Sequence, residues 1–379
     1  MNSIIQKINF IEQLRGIAIL LVLIYHYTSR IPHTIMGSET APSVEFFYGE
    51  IGVYLFFVIS GYLIAKTIEK CSTLGEFYAK RISRIWPLFI VANIFVFMWT
   101  HNFETPVVPS GVDDFDVHGR SIYDLIGSTF LLTDIGLQWV DGAYWSILVE
   151  VKYYAIIGVF AVFFRGKFVD AFSWAVAIFG LVEFSMFVFY GEWNYTSVNK
   201  LLHSVIIAHY LPFFAVGMMI YQKKYNLLLA ICLSLCITQI FVDALFHPFV
   251  IAGTVKFLTI FVAFLIFDQM FTKGKICLFM GKYSYSIYLF HQVIGLSIIM
   301  MLTPKIGIDL AIFTAFVFVL GLAVFSSVLV EWKYRRRVTA LLINAGTLIG
   351  MDRLRLDLEP GDKTEKLDVA ATPQNQKVR

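Results

Sequence analysis

Charge is scarce in this chain. Asp, Glu, Lys and Arg make up 15% of its 379 residues, while 58% are hydrophobic and the mean hydropathy is +0.73. No water-soluble globular domain of this size needs so much apolar surface, which excludes that class and leaves an all-α polytopic membrane protein. Cysteine is sparse as well. Cys71, Cys232, Cys236 and Cys277 all fall outside the connections read below as external, so no disulfide framework is implied. Cys232 and Cys236 share a helical face, where packing is the ordinary role of two thiols in an apolar segment. No internal repeat, Gly-rich phosphate loop or HExxH motif occurs, and no metal site is indicated. The basic residues sit in short clusters between apolar segments, which argues against a nucleic-acid partner.

Apolar runs are what the chain has in quantity. They fall roughly at 10–28, 49–66, 85–101, 144–164, 171–190, 203–221, 226–246, 249–268, 283–302 and 308–332. That pattern predicts about ten transmembrane helices, each near the ~20 residues a bilayer requires. A short additional or re-entrant helix fits 120–140. The first run has no small-residue cleavage pattern behind it and reads as a retained signal anchor. Aromatic residues, 17% of the chain, suit interfacial belts.

Lys and Arg alternate between successive connections. One set holds Lys66, Lys70, Lys80, Arg81, Arg84, Arg165, Lys167, Lys223, Lys224, Lys273, Lys275, Lys282 and the cluster Lys333 to Arg337. The other holds little beyond Arg30, Arg120, Lys200 and Lys305. The positive-inside rule then places both termini in the cytoplasm. Residues 1–337 read as one membrane domain and 338–379 as a cytoplasmic tail, interfacial at first and then disordered. In the long external connection, Asp113, Asp114 and Asp116 have the spacing of a calcium loop's first ligands. They lack its glycine and distal glutamate, so they read as a solvated turn.

Ionisable residues inside the apolar runs are costly and therefore informative. The stretch "LRGIAILLVLIYHY" carries Arg15 and His26, eleven residues and about three turns apart, so both lie on one face roughly 16 Å apart along the axis. Arg15 snorkelling beside Glu12 and His26 as a satisfied interhelical histidine are the plain alternatives. Their joint placement on one stripe favours function. In "AKRISRIWP", Arg81 and Arg84 stand at i,i+3 just before the third span, with Pro87 behind them. Positive-inside anchoring explains them on charge alone, yet paired guanidiniums are also the preferred grip for phosphates. In "DGAYWSILVEVKYY", Glu150 lies about one and a half turns inside the fourth span, at the expected depth of His26. A carboxylate there can orient a histidine and stabilise its protonated form. Lys152 points to another face of the helix, which weakens a Glu150–Lys152 compensation.

These residues carry a resemblance. "LRGIAILLVLIYH", "GVYLFFVISGYLI", "RISRIWP", "YWSILVE" and "GKYSYSIYLFHQ" together resemble the acyltransferase 3 family of membrane proteins, over about residues 10 to 335. Val151 and Lys152 depart from the family pattern, where a further polar or acidic residue and a glutamine are common. The resemblance implies a multi-pass enzyme of the bacterial inner membrane that O-acylates sugars. Its donor would be a cytoplasmic acyl-CoA, acetyl-CoA foremost, with no permanently bound cofactor. The acceptor would be a glycan or lipid-linked sugar reached from the outer side, with polysaccharide biosynthesis or export machinery as a partner. His26 and Glu150 are then the catalytic candidates, and Arg15, Arg81 and Arg84 the donor-binding ones. Ser60, Trp145, Ser146 and His291 are weaker, site-lining candidates. Glu331, before the "RRR" run, is placed to pair with the donor-site arginines. A lipid, peptide or small-molecule acceptor is the alternative within the enzymes, and a proton-coupled secondary transporter is the alternative outside them.

Overall fold

The computed structural model describes residues 2–30, 42–46, 49–103, 120–190, 206–246 and 274–356. The expected span at 249–268, the acidic run at 113–116 and the tail from 357 onward lie outside the described residues. Among those described, the elements are all helical.

A helix α1, Asn2–Tyr25, runs into a π-helical turn, His26–Arg30. Next come α2, Glu50–Ile68, and α3, Leu74–Asn102. The short α4, Ile122–Thr129, fills the place left for an extra helix at 120–140. It is closed by a reciprocal capping box between Ser121 and Asp124. Then follow α5, Trp145–Phe164, and α6, Phe168–Tyr190, which pack on each other and are joined at a left-handed Arg165 with φ 46°. The shorter α7, Leu211–Tyr221, leads to α8, Leu227–Phe246. The last part holds α9, Lys275–Lys282, α10, Ser284–Phe290, α11, Val293–Ile306, and α12, Ile308–Ser326. A second π-helical turn, Ser327–Glu331, links α12 to α13, Trp332–Leu348.

Among the described residues, five helical segments are long and apolar enough to cross a membrane: Phe10–Ser29, Ile51–Ile68, Leu74–Asn102, Gly142–Ser185 and Ile308–Leu348. A sixth arises if α10 and α11, bent by 57°, form one span. The chain is thus a multi-pass membrane protein. Outward-pointing Phe163, Phe313 and Phe325 are each more than 60% exposed, a surface that suits lipid rather than water.

Small residues let the helices meet at backbone distance. A Cβ added at Gly61 would fall on the Phe214 carbonyl, and one at Gly217 on the Val58 carbonyl, so α2 and α7 cross through two glycines. Gly16 and Gly281 do the same for α1 and α9 against Cys277 and Glu12. Gly61 is therefore a packing residue.

Three elements differ from the sequence reading, one of them the single span expected at 283–302, which is bent between α10 and α11. Helix α3 begins eleven residues before the expected 85, because Thr73 caps it, accepting from the Glu76 N–H at 3.2 Å while Glu76 accepts from the Ser72 N–H at 2.8 Å. Arg81 and Arg84 consequently lie inside the helix and not ahead of it, and the helix runs on through Pro87. The start of the tail is also ordered into the bundle. Helix α13 packs along α3, with Thr339 donating to Ser83 at 2.7 Å, and the Leu356 N–H reaches the Ser72 carbonyl at 3.0 Å.

Candidate functional site

A cavity partly open to the outside lies among α1, α2, α3, α5 and α10, with about 650 Å³ of empty space when its open mouth is counted. Arg15 and Arg84 line it at one end, and Ser146 and Tyr288 contribute its other polar end. Ser60 and Glu150 stand on its wall, and Val53, Phe56, Phe57, Ile59, Leu63 and Ile147 supply the apolar surface. It is a mostly apolar channel with cations at one end.

Those cations form part of a cluster. Arg15 is 13% exposed and pairs with Glu12 at 3.1 Å. Arg84 lies within electrostatic reach of Glu12, Glu150 and Glu331, and Arg15 within reach of Arg84 and Glu331. Arg81, buried, donates to the Thr67 hydroxyl at 2.5 Å and sits against Tyr154. Its guanidinium ties α3 to α2, whereas that of Arg84 faces the cavity. Glu331, in the π-helical turn after α12, lies within electrostatic reach of Arg15 and Arg84.

Glu150 accepts from the Ser60 hydroxyl at 2.7 Å and from the Tyr154 hydroxyl one turn on. Its hydrogen bonds therefore do not go to His26, the partner expected from matching depth. Depth along a helix fixes height but not direction, and α5 turns Glu150 toward α2 and the arginines. Lys152 points away and pairs with Asp134 at 2.6 Å.

His26, buried, stands in the π-helical turn that ends α1. Such turns, rare elsewhere, recur at functional positions because they displace one side chain from the helical register. The ring facing His26 belongs to His291, with centroids 5.0 Å apart and planes at 81°. The Tyr288 ring follows at 5.1 Å from His291, so three rings lead from His26 to the cavity wall. Trp145 packs with Phe57 and Tyr210 beside the cavity. His209 is buried against Tyr210.

His291 occupies the break between α10 and α11. In a continuous helix the Val293 N–H would donate to the Leu289 carbonyl. Here the Val293 N–H donates to Asp141 Oδ2 at 3.1 Å, and the Tyr144 hydroxyl donates to the Leu289 carbonyl at 2.8 Å. The Tyr27 hydroxyl donates to the His291 carbonyl at 2.9 Å, an approach that a side chain at Gly295 would block. Asp141, fully buried, also accepts from the Ala143 N–H at 2.9 Å. The Tyr288 hydroxyl donates to the Ala143 carbonyl at 2.6 Å and lies 2.7 Å from the Ser146 hydroxyl. The Leu289 and His291 carbonyls and the Val293 N–H thus find side chains, which is what non-helical backbone at membrane depth requires.

Tyr27, Asp141, Tyr144 and Tyr288 escape the sequence reading. Their signal is present: a tyrosine deep in an apolar run has a hydroxyl to satisfy. Attributing the aromatic residues to interfacial belts hides it.

The model of a family described as an acyltransferase domain matches residues 8–332. The chain is similar to an O-acetyl transferase of Shigella phage Sf6, 29% identical over 162 residues that make up 40% of this chain and 46% of that protein. It is also similar to a protein of Acidianus two-tailed virus whose name carries the word acetyltransferase, 34% identical over 88 residues, 23% of this chain and 24% of that protein. The matched stretches span less than half the length of either relative. No solved structure matches the chain.

Proposed function

The chain belongs to the acyltransferase 3 family, and from that premise we propose that it is an integral membrane O-acyltransferase. It transfers an acyl group, acetyl foremost, from cytoplasmic acyl-CoA to a hydroxyl of a cell-surface polysaccharide sugar or its lipid-linked precursor. The observation that carries this reading is the cavity: an apolar channel with Arg15 and Arg84 at one end and hydroxyls at the other. That layout suits a donor with an anionic head and a long, thin arm ending in a thioester.

In this reading the arginine end faces the cytoplasm, in keeping with the Lys and Arg asymmetry that puts both termini and about ten spans in one topology. Guanidiniums hold the donor's phosphates through forked hydrogen bonds. Glu150 and Ser60 stand along the path of the arm. Beyond the rings of Tyr288 and His291, His26 takes the proton from the acceptor hydroxyl as the C–O bond forms and the C–S bond breaks, and the proton passes on to the departing thiolate. The protein sits in the bacterial inner membrane, and its acceptor approaches from the outer side.

The test uses the purified protein in nanodiscs with radiolabelled acetyl-CoA and bacterial polysaccharide repeat oligosaccharides. Label is expected in alkali-labile esters on the sugar. The break at His291 offers some support to a proton-coupled transporter, since broken spans line such pathways. That reading predicts sugar or ion flux without ester formation, and the same preparation separates the two.

A further inference from the structure

We propose that His291 is the positioning partner of His26, the second imidazole of a dyad that the break between α10 and α11 exists to present. The proposal rests on the acyl-transfer reading and goes beyond it, because the carboxylate at matching depth, Glu150, is bound elsewhere.

The geometry is specific about the state of His291. Its Nδ1 lies 2.7 Å from the Tyr288 carbonyl oxygen, which can only accept, so Nδ1 carries the hydrogen and the neutral ring keeps its lone pair on Nε2. The backbone around the ring is held at three points, by Tyr27 on the His291 carbonyl, Tyr144 on the Leu289 carbonyl and Asp141 on the Val293 N–H. A fully buried ring so fixed is a rigid edge against which His26 can be set. Rigid support of this kind is what a general base needs to meet its hydroxyl in one orientation.

During transfer the hydroxyl proton moves to His26 and then to the thiolate sulfur, so the pair gains one charge and loses it again. Two imidazoles in ring contact do not protonate independently, and the second proton on the pair is opposed by the first. Among the described residues, the titratable groups around His291 are His26 and Tyr27 from the end of α1, Asp141 and Tyr144 from the turn before α5, and Tyr288 of its own helix. Helix α3 presents Phe95 to Phe290, and α12 carries just one acidic or basic side chain, the exposed Asp309 of its first turn.

Nitrogen NMR on protein with isotope-labelled histidine reads this without any acceptor. Wild type is expected to show His291 with its proton on Nδ1, and His26 and His291 titrating in two linked steps. His291→Asn keeps an N–H for the Tyr288 carbonyl but removes Nε2 and the ring. In that variant His26 is expected to titrate in one step, and kcat for acetyl transfer to fall about 10- to 100-fold with KM for acetyl-CoA unchanged, by analogy with the partners that orient metal-bound histidines. A proton on Nε2 of His291 in wild type, or independent titration of the two rings, overturns the dyad even if the variant does not fold. So does a folded His291→Asn protein with wild-type kcat and pH profile. Absence of acetyl transfer by wild type overturns the enzymatic reading alone, since the nitrogen signals report the pair in either case.

Discussion

The rings of His26 and His291 stand edge to face, 5.0 Å between centroids, although 264 residues separate the two in sequence. Each is delivered by an interruption of a membrane helix, a π-helical turn for His26 and a bent break for His291. An unbroken α-helix would keep its polar backbone paired with itself and hold side chains in register. Here both helices depart from that register at the same place, and two phenols, Tyr27 and Tyr144, and the Asp141 carboxylate bond the backbone around the second break.

Asp141 is the most exposed of these compensations to a single-atom change. Its two oxygens accept from two backbone N–H groups, so Asp141→Asn turns an amide N–H₂ toward one donor and leaves it unsatisfied. A loss of about 1–3 kcal/mol in stability is expected, with a lower Tm in detergent and a reduced kcat. Wild-type Tm and kcat together would show that the break does not depend on this carboxylate.

Arg84 and Arg81 are expected to separate. Arg84 lines the cavity, so Arg84→Lys should raise KM for acetyl-CoA about tenfold, near 1.4 kcal/mol, because an ammonium cannot reproduce a forked grip. Arg81 bonds Thr67, so Arg81→Lys should lower Tm more than it raises KM. Steady-state kinetics and thermal unfolding on both variants check this. Equal effects on KM would mean that both guanidiniums reach the donor.

Asp124 gives a pH dependence outside the membrane spans. Desolvation would raise its carboxyl, but the N–H groups of Gln138 and Ser121 and the Ser121 hydroxyl outweigh that and hold it below the ordinary 3.8. A carboxyl depressed in the folded state contributes stability that is complete above the ordinary value and fades as pH falls toward the folded one. Amides of 121–138 should therefore keep their protection at about pH 5 and above, and lose it below 3.8. Asp124→Asn should abolish that dependence, and hydrogen exchange with mass spectrometry reads it. Protection unchanged through this range in wild type would contradict the capping account.

How much of this is legible in the sequence follows from what sequence encodes. Apolar runs mark the five or six spans among the described residues, where about ten were expected over the chain, and costly ions within them single out Arg15, His26 and Glu150 as candidates before any coordinates. The "TLGE" box at 73–76 also announces the true start of α3, and a reading centred on hydropathy passes over it. The break at His291 is different. Neither Pro nor Gly stands at residues 291–292, so 283–302 reads as one uninterrupted span, and the cause lies 150 residues away in Asp141 and Tyr144. Glu150 shows the other limit: its height is readable from the helix rise, but its direction depends on how α5 is rotated by its neighbours.

The most direct test of the whole account is acetyl transfer by His26→Gln protein in nanodiscs, with radiolabelled acetyl-CoA and polysaccharide repeat oligosaccharides. Glutamine keeps hydrogen-bonding capacity and approximate size but has no basic nitrogen. A positioned general base contributes about 10²–10⁴-fold, so transfer should fall at least about a hundredfold while acetyl-CoA still binds through Arg15 and Arg84. Near-normal transfer by a folded His26→Gln protein would contradict the account.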